Sequence, residues 1–295
     1  MSFIDLHIHS YYSDGFHSPN DLVKKGKSLG FSALSLTDHN GIEGVEETMK
    51  AGKEEGIKII PGVEIYTNFK KYHLHILGYC FRSDNPELRK VLAKLQEEKR
   101  PKIRETIALL KKDGWEIEEK EVFQCPSVYL GIGHIAGFLM KGDNLKRVKK
   151  EMNLRPRQIL GMGDVIGFYF KKYFSFCSET EISADSAIEL IHHAGGKAVL
   201  AHPGCQLGRK DWWVVKELKE RGLDGLEAIS GHHSWEQQDL WQRIAKEFGL
   251  FITCGSDYHG DLPQEWGVPF RTIWDYFRAI AEKSEIFYEN SFCFS

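Results

Sequence analysis

The chain has 295 residues, 42% hydrophobic and 27% charged, which suits one large folded domain or one domain carrying a smaller insertion, and excludes a disordered chain. Its 39 Lys and Arg against 42 Asp and Glu leave a formal net charge of −3, which argues against extended nucleic-acid binding through a broad basic face. A small anionic substrate stays open, because bound cations would add charge that this count omits.

The first residues contain no basic stretch followed by an apolar one, and no apolar run approaches the roughly 20 residues needed to span a bilayer. The six cysteines (Cys80, Cys125, Cys177, Cys205, Cys254 and Cys293) are scattered without a C-x-x-C pair. A cytoplasmic chain with free thiols and no membrane association is expected. Oligomeric state leaves no trace in the sequence.

In chain order, Phe3 to Ile8 alternates as a strand, with Ile4, Leu6 and Ile8 on one face and Asp5, His7 and His9 on the other. Ser18-Pro19 supplies an N-cap and a first-turn proline for a helix ending near Gly30. A strand from Phe31 to Leu36, a helix from about Glu43 to Glu55, a strand from Ile57 running to Glu64 and a strand from His73 to Tyr79 follow. From about Asp84 to Thr180 the chain is strongly charged and helical, clearest over Glu87 to Leu110. Alternation then resumes: helix Ala184–His193, strand Lys197–Ala201, helix Asp211–Arg221, strand Gly225–Ile229, helix Trp235–Phe248 and strand Leu250–Cys254. Strands alternating with helices imply an α/β fold with a mainly parallel sheet, closed as a barrel or wrapped open. The predicted organisation is a discontinuous barrel over 1–83 and 181–295, with a mainly helical small domain inserted at 84–180.

Histidine is the informative residue, with 13 in the chain. His7 and His9, Asp38-His39, Glu64, His75, His202, and Asp257 with His259 all fall where predicted strands end. Loops at the C-terminal strand ends of parallel barrels share one face, so residues remote in sequence would converge there. In a strand, residues two apart project from one face, so both imidazoles of His7-x-His9 can reach one ion. Singly, Asp38-His39 reads as a loop cap and Pro203-Gly204 as a turn; the recurrence at six places is what points to metal. A His and carboxylate set without Cys suits Mn, Zn or Fe.

The motifs then resemble a known family. H-I-H-S at His7–Ser10, S-D-G at Ser13–Gly15, T-D-H-N at Thr37–Asn40, P-G-V-E at Pro61–Glu64, L-H-I-L-G-Y at Leu74–Tyr79, A-H-P-G at Ala201–Gly204 and G-S-D-Y-H-G at Gly255–Gly260 are similar, in order, to the polymerase and histidinol phosphatase (PHP) family. The stretch A-I-E-L-I-H-H-A-G-G-K-A-V-L-A-H-P-G looks like the subgroup of stand-alone phosphoesterases with a helical insertion. The resemblance implies a distorted (β/α)7 TIM-like barrel and a centre of up to three divalent ions (Mn, Zn or Fe). Carried over by motif, His7, His9, Glu64 and Asp257 would hold the first ion, Glu64, His75 and His202 the second, and Asp14, His39 and His259 the third. Asp14 is promoted by the family pattern alone; without it, a turn residue is the better reading.

The activity so implied is hydrolysis of a phosphate monoester of a small metabolite, such as a nucleotide, by attack of a metal-bridging hydroxide. His233 in G-H-H-S is the candidate acid or phosphate donor, with His232 next. Asp38 is expected to orient a ligand. Two alternatives are a nuclease trimming oligonucleotides from a 3′ or 5′ end and a non-catalytic metal-binding regulatory module. Related enzymes often carry G-R-P-H within the insertion; here Gly131-Ile132-Gly133-His134 keeps the histidine, expected to reach the substrate phosphate, and replaces the arginine by Ile132. Lys171, Lys172, Arg155, Arg157 or Arg209 could stand in for it, each also reading as a surface charge.

Overall fold

A computed structural model describes residues 3–124, 127–155, 160–175 and 182–260. Strand β1 (Phe3–Ile8) begins the chain, and α1 (Pro19–Ser28) starts where the Ser18 side chain accepts from the Asp21 N–H. Strand β2 (Phe31–Leu36) and α2 (Val45–Glu55) lead to the two-residue β3 (Lys58–Ile59). These three strands form one parallel sheet in the order β1-β2-β3.

The strand expected from Ile57 through Glu64 divides at Pro61. A proline has no N–H for a ladder, so pairing with β2 stops and the chain passes into a second sheet. There β4 (Gly62–Phe69) and β5 (Tyr72–Tyr79) pair antiparallel, joined by a tight turn in which Lys70 has φ 54°. The pairing is mainly parallel, as expected, with the exception of β5, which is antiparallel to both of its neighbours. The second sheet runs β6-β4-β5-β7-β8-β9, with β6 (Ile182–Ser183), β7 (Lys197–Leu200), β8 (Gly225–Ser230) and β9 (Phe251–Gly255). Two isolated parallel bridges, Ile8 to Tyr258 and His39 to Glu64, link the two sheets.

Helices α8 (Ala184–His193), α10 (Trp212–Glu220) and α11 (Trp235–Glu247) pack an apolar layer against β4, β5, β7 and β8. A one-turn α9 (Pro203–Gln206) follows His202. Between β5 and β6 lie α3 (Pro86–Lys112), α4 (Glu119–Phe123), α5 (Ile132–Leu139), α6 (Gly142–Glu151), α7 (Met162–Tyr169) and a π-helical turn at Phe170–Phe174. Ile103, Ile107 and Leu110 of α3 pack with α5, α6 and α7 in a separate apolar cluster, whereas Leu88, Leu92 and Leu95 of the same helix pack with the sheet side. Helix α3 is thus a beam that ties the helical segment to the strands, with Pro101 between its two halves.

No helix among the described residues is long and apolar enough to cross a membrane. The expectation of free thiols holds for Cys205 and Cys254 but not for Cys80, which is disulfide-bonded. Scattered spacing conceals such pairing, because pairing depends on the fold rather than on sequence distance.

Candidate metal centre

His7 sits inside β1 and His9 just beyond it, and both are completely buried. Glu64 and His75 occupy one face of the β4–β5 hairpin as diagonal cross-strand neighbours, with Glu64 opposite Leu77 and Tyr66 opposite His75. They lie within strands rather than at strand ends, because the hairpin continues past the level of the other strands. His202 and Asp257 follow β7 and β9 with φ of 22° and 56°, left-handed backbone that non-glycine residues adopt at a cost. Such strain persists only where surrounding contacts hold it, and both side chains point into one cluster.

That cluster gathers the nine expected metal ligands. His7, His9, Glu64 and Asp257 form one group with ligand atoms within 4.8 Å of one another; Glu64, His75 and His202 form a second; His9, Asp14, His39 and His259 form a third. Glu64 is central: its carboxylate oxygens lie 3.2 Å from His7 Nε2, 3.3 Å from His9 Nε2, 2.8 Å from His75 Nδ1 and 3.0 Å from His202 Nε2. Asp14 Oδ1 lies 3.2 Å from His259 Nε2 and 3.6 Å from His39 Nε2.

A metal fits this arrangement on its own evidence. His7 Nε2, Asp14 Oδ1, His39 Nδ1 and Glu64 Oε2 are buried without a hydrogen-bond partner, although His39 Nδ1 and Glu64 Oε2 are only 2.8 Å apart. Buried polar atoms left unpaired are costly, and lone pairs converging on one another need a cation between them. The donor set of imidazoles and carboxylates suits divalent ions.

Without ions the cluster is electrostatically divided. Burial disfavours a charged His7, but Glu227, Glu64 and Asp257 outweigh it and hold its pKa well above the imidazole range. Burial, with His259 and His39 nearby, pushes His9 down to about 3. Burial would raise Glu64, but His7, His39 and His75 hold it well below the carboxylate range. Burial also opposes the charged form of His259, yet Asp14 and Asp257 raise it to about 10.

The other expected residues have separate duties. Asp38 accepts from the Ser10 N–H at 2.7 Å and from the hydroxyls of Ser10 and Ser13 at 2.7 and 2.6 Å, fastening the loop that carries Asp14. His233 has both ring nitrogens committed to backbone: Nδ1 donates to the Ala228 carbonyl and Nε2 accepts from the Gly204 N–H, each at 2.9 Å. His232 instead reaches the cluster, with Nε2 2.8 Å from Asp257 Oδ2 and its side chain 47% exposed. His134 Nδ1 accepts from the Gly131 N–H at 3.1 Å, capping its own helix beside the Asp14 loop. Ile132 packs against the helical apolar cluster. Lys172 is paired with Asp113 at 2.7 Å, and Arg157 lies outside the described residues.

Two residues escaped the sequence reading. Glu227 in β8 is fully buried; its Oε1 lies 3.0 Å from His7 Nδ1, and its Oε2 accepts from the His202 N–H at 2.9 Å. A Cβ on Gly255 would fall 2.2 Å from His7 Cβ and 2.3 Å from Glu227 Oε1, so glycine there lets these two side chains meet. A charge inside the otherwise apolar Leu226–Ile229 run was the available signal. Lys99 is 3% exposed, its Nζ 5.7 Å from the centre of the Tyr66 ring, which stacks on His39 at 4.5 Å. Nothing distinguished it within a long charged helix.

The PHP domain family matches residues 5–252. This chain belongs to that family. It is 36% identical over 271 residues to a 5′-3′ exoribonuclease of Haemophilus influenzae, covering 89% of this chain and 91% of the relative. A 3′,5′-nucleoside bisphosphate phosphatase of Chromobacterium violaceum is 28% identical, covering 90% of each chain. A solved amidohydrolase from Chromobacterium violaceum, with sulfate bound and no metal, aligns with a TM-score of 0.73 at 26% identity over 94% of this chain and 96% of that one. A Bifidobacterium adolescentis structure, at 24% identity over 88% of each chain and a TM-score of 0.71, shares the fold.

Proposed function

We propose that this PHP protein is a divalent-metal-dependent phosphoesterase acting on small nucleotides, with nucleoside 3′,5′-bisphosphates and the 5′ ends of short RNA as substrates of one site. The observation that carries the reading is the buried cluster of four overlapping ligand groups, two of which share Glu64. Relatives named for bisphosphate and RNA hydrolysis support the substrate class. The two isolated bridges between the sheets support closure into a distorted barrel, and the separate apolar cluster of the helical segment supports its treatment as an inserted domain over the site.

In this reading His7, His9, Glu64 and Asp257 hold one ion, Glu64, His75 and His202 a second, and Asp14, His39 and His259 a third, with Mn, Zn or Fe matching the donors. The bound ions supply a nucleophile active near neutral pH and neutralise the phosphoryl oxygens. Glu227 fixes the ring of His7 and the backbone of His202. Asp38 positions Asp14 through the Ser10–Ser13 loop. His232, half-exposed beside Asp257, is placed to protonate the departing oxygen, whereas His233 braces the backbone around it.

The test is product analysis with adenosine 3′,5′-bisphosphate and a 5′-phosphorylated RNA tetramer in the presence of Mn. The expected products are inorganic phosphate from the first and mononucleotides from the second. Hydrolysis of the first alone would confine the enzyme to monoesters, and an inert protein with either substrate would overturn the proposal.

A further inference from the structure

Beside the cluster, a cavity of about 310 Å³ opens between the Asp14 loop and the helical segment. One wall is Asp14 itself with the exposed ring of Phe16, 48% accessible; the other is Gly137 and Phe138 of α5 with Met162 of α7. Glu121 and Lys141 add polar groups to the lining. We infer that this cavity is the nucleobase pocket: it receives the base of the nucleotide whose phosphate ester lies at the cluster. The inference rests on the phosphoesterase reading and adds to it the part of the substrate that is recognised.

Several independent features agree. Of the nine clustered residues Asp14 alone lines the cavity, so the cavity and the third ligand group meet at that side chain. Its size of about 310 Å³ suits one nucleoside. Aromatic faces bind bases of any identity by stacking, and the flanking polar groups can meet a base edge. Phe16 is held in place from its own backbone, whose N–H donates to the His259 carbonyl at 2.8 Å.

Two glycines of α5 line the cavity. A Cβ on Gly133 would fall 2.6 Å from Asp14 Oδ2, so that glycine is explained by close approach. Gly137 has no such reason, since an added Cβ there meets no atom within 4 Å. Glycine inside a helix weakens it relative to alanine. The cavity wall is open at Gly137, as α7 is at Gly163 and Gly167 outside this cavity.

The experiment uses Gly137→Leu, which places a side chain in open space without touching a metal ligand, and Phe16→Ala, which removes an exposed ring. Binding of AMP and of ribose 5-phosphate is measured by calorimetry, and turnover of adenosine 3′,5′-bisphosphate and of its abasic counterpart, ribose 3,5-bisphosphate, by phosphate release. Both variants are expected to weaken AMP binding by about tenfold, the scale of one lost stacking contact, while ribose 5-phosphate binding stays within about twofold. The nucleotide's KM should rise in parallel, with the abasic substrate and metal content unchanged. Equal AMP affinity in wild type and both variants, or a parallel loss for both compounds, would overturn the pocket. So would a wild type that binds ribose 5-phosphate as tightly as AMP. Failure of the phosphoesterase reading has a different signature: neither substrate turns over, while the AMP titrations still decide the pocket.

Discussion

Replacing Glu227 by glutamine isolates what its carboxylate does for the metal centre. In the wild type, Oε1 faces His7 Nδ1 at 3.0 Å and Oε2 accepts from the His202 N–H at 2.9 Å. The carboxylate can only accept, so it keeps a His7 proton on Nδ1 and reserves Nε2, which faces Glu64 and Asp257, for a bound ion. A glutamine keeps both contacts by turning its oxygen to the His202 N–H and its NH2 to His7 Nδ1. The His7 proton then moves to Nε2, the atom that must bind metal. Partners of this kind typically change metal affinity by 10- to 100-fold, or about 1.4 to 2.8 kcal/mol. Folding stability should change little, because no buried group loses its partner. Glu227→Ala, in contrast, orphans two buried donors at about 1–3 kcal/mol each, a large part of the 5–15 kcal/mol typical of a domain. Chelator competition would measure metal affinity, phosphate release kcat/KM, and thermal melting stability. A Glu227→Gln protein with wild-type metal affinity and kcat/KM would refute the tautomer argument.

The remaining predictions concern histidines and one structural carboxylate. His202→Ala should lower kcat by at least ~100-fold, because metal-activated water supplies most of the rate. His192→Ala, which removes only a 2.7 Å contact with Asp224, should leave kcat unchanged; equal losses in the two would contradict the assignment. His232→Gln should lower kcat by about 100-fold with stability intact. His233→Ala should cost about 1–3 kcal/mol of stability by orphaning the Gly204 N–H, with kcat near wild type, and a reversed pattern would show that the roles are exchanged. Asp224 is kept below the ordinary carboxylate range: burial would raise its pKa, but Lys197, His192 and the Ala198 N–H outweigh it. Its contribution is therefore present above the unfolded pKa near 4 and lost as pH falls through the lower folded value. Asp224→Asn should be less stable by about 1–2 kcal/mol at pH 7, and the gap should close only below about pH 4. Denaturant midpoints across that range would check this, and a gap that closed above pH 5 would reject it.

Much of the scaffold was legible because each signal was local. Strand Phe3–Ile8 and helix Ala184–His193 have their expected limits, set by apolar alternation in the first and by the Ser183 cap in the second. The β4–β5 hairpin was not legible, since the turn at Lys70-Lys71 carries no glycine or asparagine and its direction is decided by pairing with β7. The nine clustered residues were legible through their motifs, Asp14 only through the family pattern. The contrast between His232 and His233 was not, because neighbours in sequence point to opposite sides and only the Gly204 and Ala228 backbone reveals which one is used up. Glu227 and Lys99 were missed for the same reason: their meaning lies in what a distant segment brings against them.

The most direct measurement is elemental analysis of the purified protein paired with phosphate release from adenosine 3′,5′-bisphosphate, before chelation, after it, and after Mn is restored. The expected result is bound divalent metal in the untreated protein, loss of both metal and turnover together with a lower melting temperature on chelation, and recovery of all three with Mn. A metal-free protein that hydrolyses the substrate, or one whose turnover and melting temperature survive complete metal removal, would contradict the metal centre.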